Sequence, residues 1–187
     1  RTAGSGGNDY ILQKINNIVF RNIPDLQENI ERVTQHLRKK IFAIPGSDIK
    51  RECLQMIPAK DGKGWVTDSH GDNWRLFVFI ANHRSYDIVD SPGKAREGGK
   101  AIGRFQALLA DLPGKPLHET IPSFHDVEKR IDTFINTLKA DPAGRVNDTR
   151  EETDFILKRA DEMRIIHKLG REGKIPVRIT HNDTKFN

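Results

Sequence analysis

Trp74-Arg-Leu-Phe-Val-Phe-Ile80 is the most apolar run in the chain and reads as a buried strand. Two turn-rich stretches precede it, Lys60-Asp-Gly-Lys-Gly64 and Asp68-Ser-His-Gly-Asp-Asn73, with Trp65-Val-Thr67 between them as a short strand. Further upstream, Glu52-Cys-Leu-Gln-Met-Ile57 alternates in the manner of a strand. Pro24-Asp25 opens a helix in which Leu26, Ile30, Val33, Leu37 and Ile41 recur on one face, and Pro45-Gly46 ends it. Tyr10–Ile15 is a further short apolar strand. Downstream of Asn82 the pattern becomes helical. Apolar stripes run through Lys94–Leu112, Phe124–Leu138 and Asp148–Leu169, and Pro176–Thr180 reads as a last strand. The expected fold class is therefore α+β, with a small antiparallel sheet and one long helix over residues 1–82 and a mainly helical part over 83–187.

Composition narrows the function classes. With 187 residues the chain suits one domain or two small lobes. A single cysteine excludes an intrachain disulfide framework and any Cys-cluster zinc site. The longest apolar run, Leu76–Ala81, is too short to span a membrane. Arg1-Thr-Ala-Gly-Ser-Gly-Gly7 lacks a signal peptide's apolar stretch and a lone thiol suits a reducing compartment, so the expectation is cytoplasmic. The net charge of +5 is dispersed, with no basic block longer than Arg38-Lys39-Lys40, and aromatics make up 7%. That argues against nucleic acid and suits a small anionic ligand such as a nucleotide.

The residues richest in chemistry are His181-Asn-Asp-Thr-Lys-Phe-Asn187, on a loop after the last expected strand. In phosphoryl transfer a carboxylate orients the attacking hydroxyl, and a lysine two positions on can reach the same cleft and offset phosphate charge. Asp183, Lys185 and His181 fit those positions. A second His-x-Asp triplet, His70-Gly71-Asp72, lies between two expected strands in a stretch whose composition suits a hairpin turn. It is read as a turn, since the residue five after Asp72 is the apolar Phe77.

Taken with Tyr10-Ile-Leu-Gln-Lys-Ile-Asn-Asn-Ile-Val-Phe20, Glu28-Asn-Ile-Glu-Arg-Val-Thr-Gln-His-Leu37 and Gly103-Arg-Phe-Gln-Ala-Leu-Leu-Ala-Asp-Leu-Pro113, the C-terminal heptapeptide resembles the aminoglycoside phosphotransferase-like kinases. Among them it is most similar to the N-acetylhexosamine 1-kinase branch, which Leu117-His-Glu-Thr-Ile-Pro-Ser-Phe-His125 and Ala140-Asp-Pro-Ala-Gly-Arg145 also resemble. The resemblance implies a bilobal protein-kinase-like fold with residues 1–82 as the nucleotide-binding lobe and 83–187 as part of the helical lobe. It also implies ATP with Mg2+ and phosphorylation of a sugar at its anomeric hydroxyl. Asp183 matches the catalytic aspartate, Lys185 the basic position of the catalytic loop, and His181 the histidine bracing that loop. The family's metal-binding Asn and Asp would fall beyond Asn187, so the 187 residues alone are expected to show negligible transfer. Choline or homoserine kinase activity, or a catalytically incomplete nucleotide-binding or interaction module, are the alternatives.

The remaining nucleotide contacts stay open at this level. Gly4-Ser5-Gly6 would let backbone amides approach phosphate, or is simply an unstructured terminus. Either Lys14 or Gln13 faces the nucleotide, since a strand alternates its side chains. The linker Ile80, Ala81 and Asn82 would offer adenine its backbone. Glu28 lies about 180° from the apolar stripe of its helix and is expected to face solvent. His118, His125 and His167 show no ligand spacing, Cys53 is expected to be buried in a strand, and Trp65 and Trp74 to pack the hairpins.

Overall fold

The computed structural model describes residues 9–185. Helix, turn and strand follow the local signals closely in the first third of the chain. Strand β1 spans Tyr10–Ile15, and helix α1 spans Ile23–Phe42. Asn22 caps α1 by accepting the backbone N–H of Asp25, Pro24 sits in the first turn, and Lys39 and Lys40 lie in the last turn where the dipole favours cations. After a one-turn helix α2 (Ile49–Glu52) come β2 (Met56–Ile57), β3 (Val66–Thr67) and β4 (Asn73–Val78).

Strand β4 is the centre of the sheet. All pairings are antiparallel: β1 lies along one edge, Ile15 opposite Asn73 and Ile11 opposite Phe77, while β2 and β3 share the other edge. This is the run expected to be buried, and Phe77 is its buried residue. Helix α1 covers two clusters. Near its start Ile23 and Leu26 pack with Ile15, Phe20, Ile30 and Trp65; near its end Leu37 and Ile41 pack with Cys53 and Leu109. Full burial of each such side chain is worth roughly 1.5–3 kcal/mol, so the apolar stripe is what fixes α1 to its neighbours.

Helix α3 runs over Pro92–Leu109, capped by Ser91, and ends three residues before the expected Leu112. Helix α4 (Val127–Ala140) follows with Asp126 as its cap. The single helix expected over Asp148–Leu169 is instead three pieces: a 3-10 turn at Val146–Thr149, α5 (Arg150–Met163) and α6 (Ile165–Arg171). The expected strand at Pro176–Thr180 is absent. Among the described residues no strand pairs with it, Pro176 has no N–H to give, and Val177 is 93% exposed; Ile179 packs against the α1–α3 cluster.

A further correction concerns Glu52–Ile57. Its first residue closes α2, because Asp48 accepts the Lys50 N–H and Glu52 returns a carboxylate to the Asp48 N–H at 2.8 Å. Reciprocal capping of this kind outbids the strand pattern, leaving Met56 and Ile57 to pair with β4. Cys53 is buried, as expected, but at the C-terminus of α2.

The chain is thus a mixed helix and sheet protein with one small antiparallel sheet. It divides into two compact units, Arg1–Ile121 with Ile179–Asn187, and Pro122–Arg178. The expected boundary after residue 82 falls within the first of these. Within the second, Ile131 of α4 and Thr153 of α5 are buried, Arg164 bonds Asp132, and Arg171 grips Glu128 through two parallel hydrogen bonds. No helix among the described residues is long and apolar enough to cross a membrane.

Candidate functional site

One face of α3 is unusually low. Lys94, Glu97, Gly98, Ala101, Ile102 and Phe105 recur at helical spacing, and the two small residues in the middle leave a hollow that larger side chains would fill. Arg84 and Tyr86 close one side of the hollow, and His181, Thr184 and Lys185 the other, around a pocket of about 750 Å³. Lys94 carries its ammonium over the Tyr86 ring at 4.0 Å and pairs with Asp90 at 2.9 Å. His181 meets Phe105 edge to face, ring centroids 6.0 Å apart.

The loop bearing the expected catalytic residues owes its shape to Asn182, whose φ of 65° is left-handed. Asparagine tolerates that conformation better than any β-branched residue. The turn lets Asp183 and Lys185 approach each other, Nζ to Oδ2 3.4 Å, with side chains 70% and 58% exposed. Of the expected trio, His181 and Lys185 line the pocket; Asp183 stands next to them on the exposed side, oriented by Lys185.

The expected nucleotide residues are placed differently. Gly4, Ser5 and Gly6 lie outside the described residues. Lys14 projects on the face opposite Ile15 and pairs with Asp72, in the turn between β3 and β4. Gln13 accepts a hydrogen bond from Arg75 Nε at 2.9 Å. Neither side chain lines the pocket. In the linker, Arg51 donates to the carbonyls of Ala81 (2.9 Å) and Asn82 (3.2 Å), and His83 Nδ1 donates to that of Ile80 (2.6 Å). Each of these carbonyls thus already accepts one hydrogen bond, with a second lone pair left on its oxygen. Arg84, Lys94 and Lys185 line the pocket together with Glu97, and two of these cations are paired, Lys94 with Asp90 and Lys185 with Asp183.

His70-Gly71-Asp72 is a turn, as expected. Asp68 accepts the N–H groups of His70 and Asp72 and the Trp74 indole N–H at 2.8 Å, and Gly71 has a φ of 81° that its lack of a side chain permits. The indole bond, more than any other contact, holds the Asp68 carboxyl below its ordinary range. Glu28 faces outward as expected but is engaged by His118 rather than by water alone.

A divalent cation finds poor purchase. Among the described residues, Asp126, Glu128 and His167 lie within ligand distance of one another in the second unit. Both oxygens of Glu128 are taken by Arg171, which puts a positive charge where a cation would sit. Near the pocket, Asp183 alone of the expected phosphoryl-transfer residues offers an oxygen, so no magnesium site is built by the residues described.

The pocket residues that sequence reading missed, Arg84, Tyr86, Lys94 and Glu97, were visible only as spacing. Lys94, Glu97, Gly98 and Ala101 share a helical face with Phe105, a pattern readable once that face is known to look onto the 181–185 loop. No protein-family model matches the chain.

Proposed function

We propose that this chain is the nucleotide-binding and catalytic-loop portion of an ATP-dependent phosphotransferase with a bilobal kinase-like arrangement, acting on a small sugar of the N-acetylhexosamine type. The observation carrying the proposal is the meeting of the 181–185 loop with the low face of α3, where Lys94 and Glu97 stand beside Gly98 and Ala101. His181 and Lys185 come to one pocket wall and Lys94 and Arg84 to the others. Three positive side chains around about 750 Å³ suit a polyphosphate, with Lys185 nearest the transferring group. Asp183, accessible and adjacent, would orient the acceptor hydroxyl and take its proton. The chain's own part is to hold the phosphates and place the acceptor.

The test is nucleotide titration followed by a transfer assay against N-acetylglucosamine, N-acetylgalactosamine, choline and homoserine. ATP should bind, and Lys94→Ala and Lys185→Ala should each weaken it about tenfold, the worth of one charge-assisted bond. In the full-length protein Asp183→Asn should lower transfer by about 100-fold or more while leaving binding intact. Unaltered ATP affinity in both lysine variants, or undiminished turnover in Asp183→Asn, refutes the assignment.

A second reading, a nucleotide-binding module without transfer, is favoured by Asp183, whose side chain is 70% exposed and paired with Lys185 rather than enclosed beside the pocket. It predicts ATP binding with no transfer to any acceptor.

A further inference from the structure

A second cavity of the first unit, about 440 Å³, lies between α1 and the segment that returns at Ile179. We propose that it binds a small uncharged aromatic molecule. Ile30, Val33 and Leu37 follow one another along α1 on one wall; Cys53, Leu54 and Phe105 supply others. Its volume falls within the roughly 300–1,000 Å³ of small-molecule pockets, and its walls are predominantly apolar with a few polar groups, as such pockets are.

Charge selects the occupant. No lysine or arginine lines the cavity. Its one carboxylate, Glu52, is already met by Arg104 at 2.7 Å and by the Asp48 N–H at 2.8 Å. The Asn29 amide is spent on both backbone groups of His118. An ion entering would lose its water and find no unengaged countercharge, so a neutral occupant is favoured. The wall also favours a ring over an alkyl chain. Phe105 and His181, edge to face with one another, both belong to the lining, as does Cys53, so a bound ring can make aromatic and S···aromatic contacts there.

Cys53 supplies a reporter that owes nothing to catalysis. It is 6% exposed and its thiol donates to the Thr34 carbonyl, so alkylation by N-ethylmaleimide requires local opening. With indole as the probe at about ten times its Kd, alkylation should slow about tenfold and the protection should saturate. Leu54 is 47% exposed at the rim, so Leu54→Trp should fold and lay its own indole over the cavity. Protection should then disappear while the melting temperature holds; Val33→Phe, filling the space from α1, should do the same. An alkylation rate indifferent to indole up to its solubility limit overturns the proposal, as does protection undiminished in both variants. Neither readout involves ATP or transfer, so this result stands apart from the phosphotransferase reading.

Discussion

His118 and Glu28, 90 positions apart in the chain, meet with Nε2 and Oε2 2.9 Å apart. The contact belongs to a seam along the outer side of α1. Asn29 bonds both backbone groups of His118, Arg32 donates to the carbonyls of Pro113 and Lys115, and His36 and Lys40 both reach Asp111. Glu28 is thereby committed to the segment after α3, while Lys14 is committed to Asp72.

Acid should loosen this seam. The Glu28 carboxyl is held below the ordinary value of 4.5, first by the His118 hydrogen bond and further by the charges of His118, Arg32 and Lys115, with burial opposing. A depressed carboxyl binds fewer protons folded than unfolded. Its contribution is therefore complete above the ordinary value and is lost as pH falls toward and through the folded one. Melting temperatures followed from about pH 6 to about pH 3 should fall less steeply in Glu28→Gln than in the wild type. Parallel curves would show that the bond does not report on stability.

The Asn29 clamp should count for more than an ordinary surface bond. Its two hydrogen bonds, 2.8 and 2.9 Å, are partly buried and satisfy a backbone N–H and C=O that have left secondary structure. Asn29→Ala should cost about 1–3 kcal/mol in urea unfolding, the range for stranding buried polar groups. A change under about 0.5 kcal/mol would mean that water replaces the side chain at little cost.

Gln27 runs the other way. It is 1% exposed, and neither Nε2 nor Oε1 bonds another protein group. Replacing a buried, unpaired amide by a thioether of similar length removes the desolvation penalty and keeps the packing. Gln27→Met should leave stability unchanged or raise it by about 1 kcal/mol, read from the same denaturant curves. A loss of comparable size would place an unseen partner on the amide.

Helix α3 should gain from losing a glycine away from the pocket. Gly99 has ordinary helical φ, and a Cβ there would meet nothing within 4 Å. Gly99→Ala should stabilise by about 0.5–1 kcal/mol, the helix-propensity difference, and leave ligand binding at the low face untouched. Destabilisation would mean that this part of α3 is not helical in solution.

The elements legible from sequence share one property: their determinants are local. The 3.6-residue stripe from Leu26 to Ile41, the helix opening at Pro24-Asp25 and the turn at 68–73 each specify backbone through neighbours a few residues apart, and each formed as read. Where a local competitor went unweighed, the reading failed. Asp48 and Glu52 cap a helical turn over the start of an alternating stretch, and Pro176–Thr180 reads as a strand but has no partner to pair with. At the site, His181 and Lys185 could be picked out from residue type and spacing, and they do line one pocket.

What the chain alone determined, then, is which segments are helix or strand and which few side chains have chemistry to offer, because propensity and periodicity act over one or two turns. Tertiary packing decided everything that depends on distant partners. It sent Lys14 to Asp72 and Glu28 to His118, turned the low face of α3 toward the 181–185 loop, and opened a separate apolar cavity beside Cys53. An ion pair or a cavity wall is defined by which surfaces are left facing each other after the apolar stripes are buried, and that outcome is written in no single stretch of sequence.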